Sequence, residues 1–334
     1  MQLGFMILPR NAEDTRQAAR IGEAAGFSWM GVADSPTVYE DSYLHQLEAA
    51  HVTERILLGP MTSHLVARHP VIVGNLLATM NAITGGRAIG TITTGNSAAR
   101  GLGMKPAKLA EMAEGFEAIR GYWRGEGGRF KDSEIPATGM LRPGCPLLFG
   151  ADGPKAAQVA GEVGDGILYG GTMTPAVRRS RLASGRLRDD QQAWIAPTVS
   201  LGETHEEVRE DLGAMVVAMA NRAMRGDLTE RGVPPELHED VAEMWRSYDY
   251  GFHADNSRPR NTGVVSDALA GHLIDSLCLW GSEEQWRTRL LELREEGWTG
   301  VMLILGQATQ LGVLRKIAER LSRLGFLSAS EAAH

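Results

Sequence analysis

The chain has 334 residues, 43% of them hydrophobic and 22% charged, a make-up that suits one large barrel or two ordinary domains and excludes a disordered or fibrous protein. A formal net charge of -7 with dispersed arginines argues against nucleic acid as a partner. The only two cysteines, Cys145 and Cys278, fit no metal spacing and read as buried thiols of a cytoplasmic protein, and the longest apolar run, around 212–220, is too short to cross a bilayer.

The opening MQLGFMILPR reads as a first strand, QLGFMIL, and not as a signal peptide. NAEDTRQAARIGEAAG follows as a helix, with Asn11 placed to cap it and Gly26 to end it. SWMGVAD is a second strand ending at Asp34, SYLHQLEAAHVTE a second helix and RILLGPM a third strand. HPVIVGNLLATMNAIT is helical, with Pro70 in its first turn, where a missing N–H costs nothing. RAIGTITTG is strand four and KPAKLAEMAEGFEAIRGYWRG a long helix, after which EGGRFKDSEIPATGMLRPG is a loop with a short hairpin. PLLFGA, the helix GPKAAQVAGEVG and DGILYGG add a fifth and a sixth strand. Arg178, Arg179 and Arg181, with Arg186 and Arg188 beyond, read as a solvated helix face. WIAPTVSLG is the next strand, and Thr204 with Glu207 forms a capping box at the start of ETHEEVREDLGAMVVAMANRAM. Residues 227–266 break the rhythm, being rich in Pro, Gly, Asn and Asp with aromatics between. A helix opened by Ser282 and Gln285, the strand TGVMLIL and a last helix over 311–323 complete the chain.

Repeated strand–helix units joined by short Gly-containing loops imply a mainly parallel sheet covered by helices. Eight strands are counted, and LPRNAED follows the first where a dinucleotide site would need glycines. The expected fold is therefore α/β, a single (β/α)8 TIM barrel over residues 1–325 with the insertion 227–266 near its C-terminal face. In such a barrel function sits at the carboxyl ends of the strands.

The residues collected there are Asp34, then Met61, Thr62, Ser63 and His64, then Thr93 to Ser97, Gly150 to Asp152, and Tyr169 to Thr172. They contain no His/Asp/Glu set with metal spacing and no G-x-S-x-G elbow, so neither a metal nor a serine nucleophile is expected. TTGNSA and the GGT after strand six are different. Small residues and backbone N–H groups in a turn accept a phosphate, and neither motif has the lysine of a nucleotide-triphosphate loop. Together they suggest a flat, phosphorylated cofactor lying over the barrel mouth.

The run RILLGPMTSHLVARHPVIVGNLLATMNAITGGRAIGTITTGNSAARGLG (residues 55–103) resembles the matching segment of the bacterial luciferase-like flavin monooxygenases, in the branch that includes the coenzyme F420-dependent methylenetetrahydromethanopterin reductases. ADGPKAAQVAGEVGDGILYG and WGSEEQWRTRLLELREEGWTGVMLI resemble two further blocks in the same order. The resemblance implies a TIM barrel that binds FMN, used as FMNH2, or the deazaflavin F420. It implies that Met61, Thr62 and Ser63 support the ring, with a non-prolyl cis peptide there in some relatives. It places Thr94, Gly95, Asn96 and Ser97 on the ring edge and phosphate, Gly150 and Ala151 on the floor, and Gly170, Gly171 and Thr172 at a second phosphate turn. Threonines in TITTGNSA, where related reductases have glycines or alanines, bear on the choice between FMN and F420.

Three functions follow. The leading one is a two-component monooxygenase that receives FMNH2 from a separate flavin reductase, since no NAD(P)H fingerprint is visible. The alternatives are an F420H2-dependent reductase or dehydrogenase and a non-catalytic flavin-binding protein. His64 and Asp34 are the candidates for proton handling, His64 because it directly follows strand three. Met244, Trp245, Tyr248, Tyr250 and Phe252 of the insertion are read as an apolar lid, or as the small core that a long excursion needs. No arginine pair stands at a strand end, so the expected substrate is a small or medium organic molecule and not a sugar phosphate. A homodimer or homotetramer is expected, mainly from the resemblance.

Overall fold

Continuous apolar runs such as QLGFMI and WMGV have no polar face to turn to water, so their strands must be covered on both sides. The computed structural model, which describes residues 1–253, 260–306 and 310–328, builds a parallel sheet from them. The strands are β1 (Gln2–Ile7), β2 (Trp29–Val32), β3 (Leu57–Pro60), β4 (Ser63–His64), β5 (Gly90–Thr93), the antiparallel hairpin β6 (Gly128–Phe130) and β7 (Ser133–Ile135), then β8 (Leu147–Gly150), β9 (Gly166–Tyr169), β10 (Gln192–Ile195), β11 (Thr198–Val199), β12 (Cys278–Leu279) and β13 (Gly300–Ile304). Their lateral order is β3-β2-β1-β13-β10-β9-β8-β5-β4, with β11 joined to both β12 and β13.

The two ends of that order, β3 and β4, are separated in the chain by Met61 and Thr62 alone, whose peptide bond is cis. The sheet thus nearly closes on itself as a barrel. The count of eight strands needs correction: nine segments lie on the hydrogen-bonded path, because the third strand is cut in two. The seventh is cut as well, at Ala196 and Pro197 between β10 and β11, where Pro197 has no N–H to give.

The helices are α1 (Ala12–Ala25), α2 (Ser42–Ala50), α3 (Pro70–Ile83), α4 (Ser97–Gly101), α5 (Leu109–Trp123), α6 (Pro154–Val163), α7 (Pro175–Gly185), α8 (His205–Ala223), α9 (His238–Ser247), α10 (Asp267–Leu277), α11 (Glu283–Glu295) and α12 (Gln310–Arg323). Their starts are the expected ones: Asn11 accepts the Asp14 N–H at 2.8 Å, and Thr204 with Glu207 and Ser282 with Gln285 form capping boxes. Among the described residues no helix is long and apolar enough to cross a membrane.

Three cores result. One lies inside the barrel, where Trp29 and Trp194 meet edge to face at 4.9 Å among Met6, Ile89, Leu148, Leu168 and Met302. A second lies between the barrel and its helices. The third is separate, formed by α8, α9 and α10 around Leu212, Val216, Val241, Met244, Leu269 and Leu273. The arginine run on α7 corrects another expectation. Arg178 and Arg181 are 3% and 4% exposed, and Arg178 bonds Glu296 at 2.7 Å and Glu292 at 3.2 Å. Arg178 thus clamps α7 to the end of α11 and Arg181 donates to the Glu230 carbonyl, while Arg179, Arg186 and Arg188 are exposed as expected.

Candidate active site

The strand ends converge on a cavity of about 410 Å³ at the carboxyl-terminal mouth of the barrel. Of the residues singled out in the sequence, Asp34, Met61, Thr62, His64, Thr94, Gly95, Asn96, Ser97, Gly150 and Gly170 line it. Ser63, Ala151, Gly171 and Thr172 stand behind the wall. Ser63 Oγ accepts the Tyr43 hydroxyl at 3.2 Å, Ala151 is buried, Gly171 packs on the Tyr169 ring, and Thr172 Oγ1 is buried with no partner among the described residues.

The floor comes from the chain around β3, β4 and β5. Thr62 Oγ1 donates to Thr93 Oγ1 at 3.1 Å, and the Gly95 N–H donates to the same oxygen at 3.2 Å. Gly95 has φ 81°, and a Cβ there would lie 3.2 Å from His64 Cβ, so this turn requires glycine. Ser97 and Ser35 share a hydroxyl hydrogen bond of 2.9 Å. Asn96 Oδ1 accepts Arg100 Nε at 3.2 Å.

His64 is 1% exposed. Its Nδ1 accepts the Ala67 N–H in a long contact of 3.5 Å, and its Nε2 is buried without a partner among the described residues. Burial pushes the imidazole below its ordinary pKa; the Asp34 carboxylate opposes that shift and the Arg68 cation adds to it. A neutral ring that accepts at Nδ1 carries its proton on Nε2, as a donor in search of an acceptor. Asp34 differs. Its Oδ2 accepts Arg68 Nη1 at 2.6 Å, and Arg68 also reaches Asp41 at 3.2 Å, so the carboxylate is half of a buried ion pair. His45 is satisfied in place, between Thr15 at 2.6 Å and Glu40 at 2.7 Å.

The opposite wall is charged. Asp152 accepts the Gly170 N–H at 3.1 Å and Arg222 Nη1 at 2.8 Å, while Arg222 Nη2 donates to the Gly170 carbonyl at 2.7 Å. Arg231 donates to the carbonyls of Asp152 and Arg225. The roof is the second half of α8, which brings Met215, Ala218, Met219 and Arg222 over the mouth beyond a break at Gly213 (φ 29°). His253 joins it from the insertion. The Tyr248 hydroxyl bonds His253 Nδ1, and burial, with Arg222 adding, pushes this imidazole down to about 4.

Of the two readings of the insertion the small core holds and the lid does not, and the expectation about arginines changes. None of Met244, Trp245, Tyr248, Tyr250 and Phe252 lines the cavity; Met244 and Tyr248 belong to the third core, and Trp245 and Tyr250 pack against it. The apolar wall comes instead from Met6, Leu8, Leu168, Met215, Met219 and Ile304. The absence of an arginine pair also fails in three dimensions, because Arg100, Arg222, Arg225 and Arg231 all line the mouth. Sequence reasoning missed these four and His253, since they come from elements after the strand ends. Among the described residues no three His, Cys, Asp or Glu groups cluster to hold a metal.

A parallel barrel with a polar, glycine-lined floor and one large cavity at its strand ends defines a small-molecule enzyme site. Residues 1–300 match the family described as luciferase-like monooxygenase, and the chain belongs to that oxidoreductase family. It is 25% identical over 298 residues to a 5,10-methylenetetrahydromethanopterin reductase of Methanolobus tindarius, covering 85% of this chain and 87% of that one. It is 27% identical over 332 residues to an F420-dependent glucose-6-phosphate dehydrogenase of Beutenbergia cavernae, covering 90% of each. Its fold superposes on the coenzyme F420-dependent tetrahydromethanopterin reductase of Methanopyrus kandleri with a TM-score of 0.74 at 20% identity, over 96% of this chain and 97% of that one.

Proposed function

We propose that this protein is an F420H2-dependent oxidoreductase that reduces a small organic substrate in the cavity at the barrel mouth. The observation that carries the reading is that cavity, whose polar floor leaves His64 Nε2 without a partner among the described residues. The two sequence relatives favour the deazaflavin: one is named F420-dependent, and the other shares its activity with an F420-dependent enzyme of the same fold. The FMN monooxygenase reading gives way on that ground.

The residues fit a flat heterocycle. Met61 and Thr62 offer a platform, Gly95 and Gly150 leave backbone where side chains would fill the floor, and Asn96 and Ser97 offer polar edges. When bound, the reduced deazaflavin supplies a hydride. The chain's own part is to orient and to exclude water: Met215, Met219 and Leu168 keep the site dry, and the Nε2–H of His64 donates to the oxygen or nitrogen that gains charge. The ion pair of Asp34 with Arg68 holds the wall beside His64 and leaves the carboxylate little freedom to act as a base.

Titration of the purified chain with F420 and with FMN, followed by cofactor fluorescence, tests this. F420 is expected to bind more tightly, and F420H2 to be consumed without oxygen once a substrate is supplied. Oxygen-dependent product formation with FMNH2, together with no F420 binding, would return the monooxygenase reading.

A further inference from the structure

The cavity holds more positive charge than its neighbours balance. Four arginines and two aspartates line it, but Asp34 is paired with Arg68 and Asp152 with Arg222. Arg100, Arg225 and Arg231 remain, with no ion-paired carboxylate among the described residues. Arg231 is committed to the carbonyls of Asp152 and Arg225. Arg225 is half-buried and held rigidly: Nε donates to the Asn221 carbonyl at 3.0 Å, Nη2 to Asn221 Oδ1 at 2.7 Å, and its guanidinium lies 4.8 Å over the Trp245 ring. The Tyr250 side chain is hydrogen-bonded to the same guanidinium. Among the described residues Arg100 is tied only through Nε to Asn96, and neither of its Nη groups has a partner there. The two cations repel each other across the mouth, and burial already weighs against the charge on Arg225.

We propose that Arg100 and Arg225 form an anion subsite that takes a phosphate or carboxylate group of the molecule bound at the mouth. The Arg100 fork presents N–H pairs that match such a group bidentately, the Arg225 guanidinium adds a fixed positive charge beside it, and an anion between them removes the repulsion. The Trp245 stack and the Asn221 bonds orient Arg225 beforehand, which lowers the cost of binding. The proposal rests on reading this cavity as the ligand site. The anion belongs either to the cofactor's side chain or to the substrate; the chemistry of the subsite is the same.

Inorganic pyrophosphate, titrated into the full chain and followed by tryptophan fluorescence, probes the subsite without turnover. Saturable binding is expected that weakens about tenfold or more in Arg100→Gln and in Arg225→Gln, and weakens with added salt. Arg100 is exposed, so its variant reports even if Arg225→Gln loosens α8. Titration of F420 and of its phosphate-free deazaflavin analogue separates the sources. Weaker F420 with an unchanged analogue assigns the anion to the cofactor; unchanged cofactors with lost pyrophosphate binding assign it to the substrate. Pyrophosphate that binds wild type and both variants alike, or does not bind wild type, overturns the subsite. If neither cofactor binds wild type, the F420 reading falls while the pyrophosphate result still decides the subsite.

Discussion

The floor and the roof of the cavity use their polar groups in opposite ways. On the floor they are turned on one another: Ser35 on Ser97, Thr62 and Gly95 on Thr93, Asp34 on Arg68. What remains is shape, the polar edge at Asn96 and the buried His64 Nε2, which has no partner among the described residues. The roof is anchored by its own core, and it presents methionines and arginines whose charge exceeds that of the nearby carboxylates. A self-satisfied surface suits a neutral flat ring, whereas an unbalanced one suits a charged group. On the proposed reading, one cavity would divide recognition between two layers of different origin.

The largest effect is expected on the floor. His64→Ala should lower turnover by about 10²–10³-fold, the loss of one oriented donor, with cofactor affinity little changed. Near-normal turnover would reduce the floor to a shape. On the roof, the neutral state of His253 gives a pH test. Its folded pKa, about 4, lies below the ordinary 6.5, so the unfolded chain takes up a proton that the folded one refuses. The stability tied to this ring is complete above pH 6.5 and is lost as pH falls toward 4, a change of about 3 kcal/mol. Urea unfolding of wild type and His253→Gln across that interval should converge at the acid end; parallel curves would mean the roof is wet. Next in size, Gly95→Ala puts a side chain at φ 81° against His64 and should cost about 1–3 kcal/mol in urea unfolding. An unchanged midpoint would make the floor softer than drawn. Ser97→Ala, the smallest, should weaken cofactor binding by about 0.5–1.5 kcal/mol, and no change in titration would take Ser97 off the ligand.

What was legible follows from how local each signal is. Asn11, Thr204 with Glu207, and Ser282 with Gln285 cap helices within four residues of themselves, so those boundaries stand in the sequence. Most of the floor was legible for the same reason, because each strand delivers its end residues in chain order. The strand break at Met61 and Thr62 was only half legible: Gly59 and Pro60 stand just before it as breakers, but the run reads as one strand because the chain resumes pairing at Ser63. Arg178 read as solvated because its partners Glu292 and Glu296 are more than a hundred residues away. The mouth arginines come from α4, from the end of α8 and from the loop beyond, and no window of sequence holds all of them. One signal was present and unread: Val241, Met244, Trp245 and Tyr248 stand at i, i+3, i+4 and i+7, the stripe of a helix packing on a core.

The pairing of β11 with β12 has a consequence beyond the cavity. Thr198 lies opposite Cys278 and Val199 opposite Leu279, so residues 200–277 leave and rejoin the barrel at neighbouring positions. Strands so paired lie about 5 Å apart, and a segment with ends that close can be exchanged without moving the scaffold. With a core of its own, this segment is a cassette. A graft from a relative, spliced at Val199 and Cys278 with Met215 and Ala218 kept to fill the barrel interior, would test whether ligand preference travels with this segment.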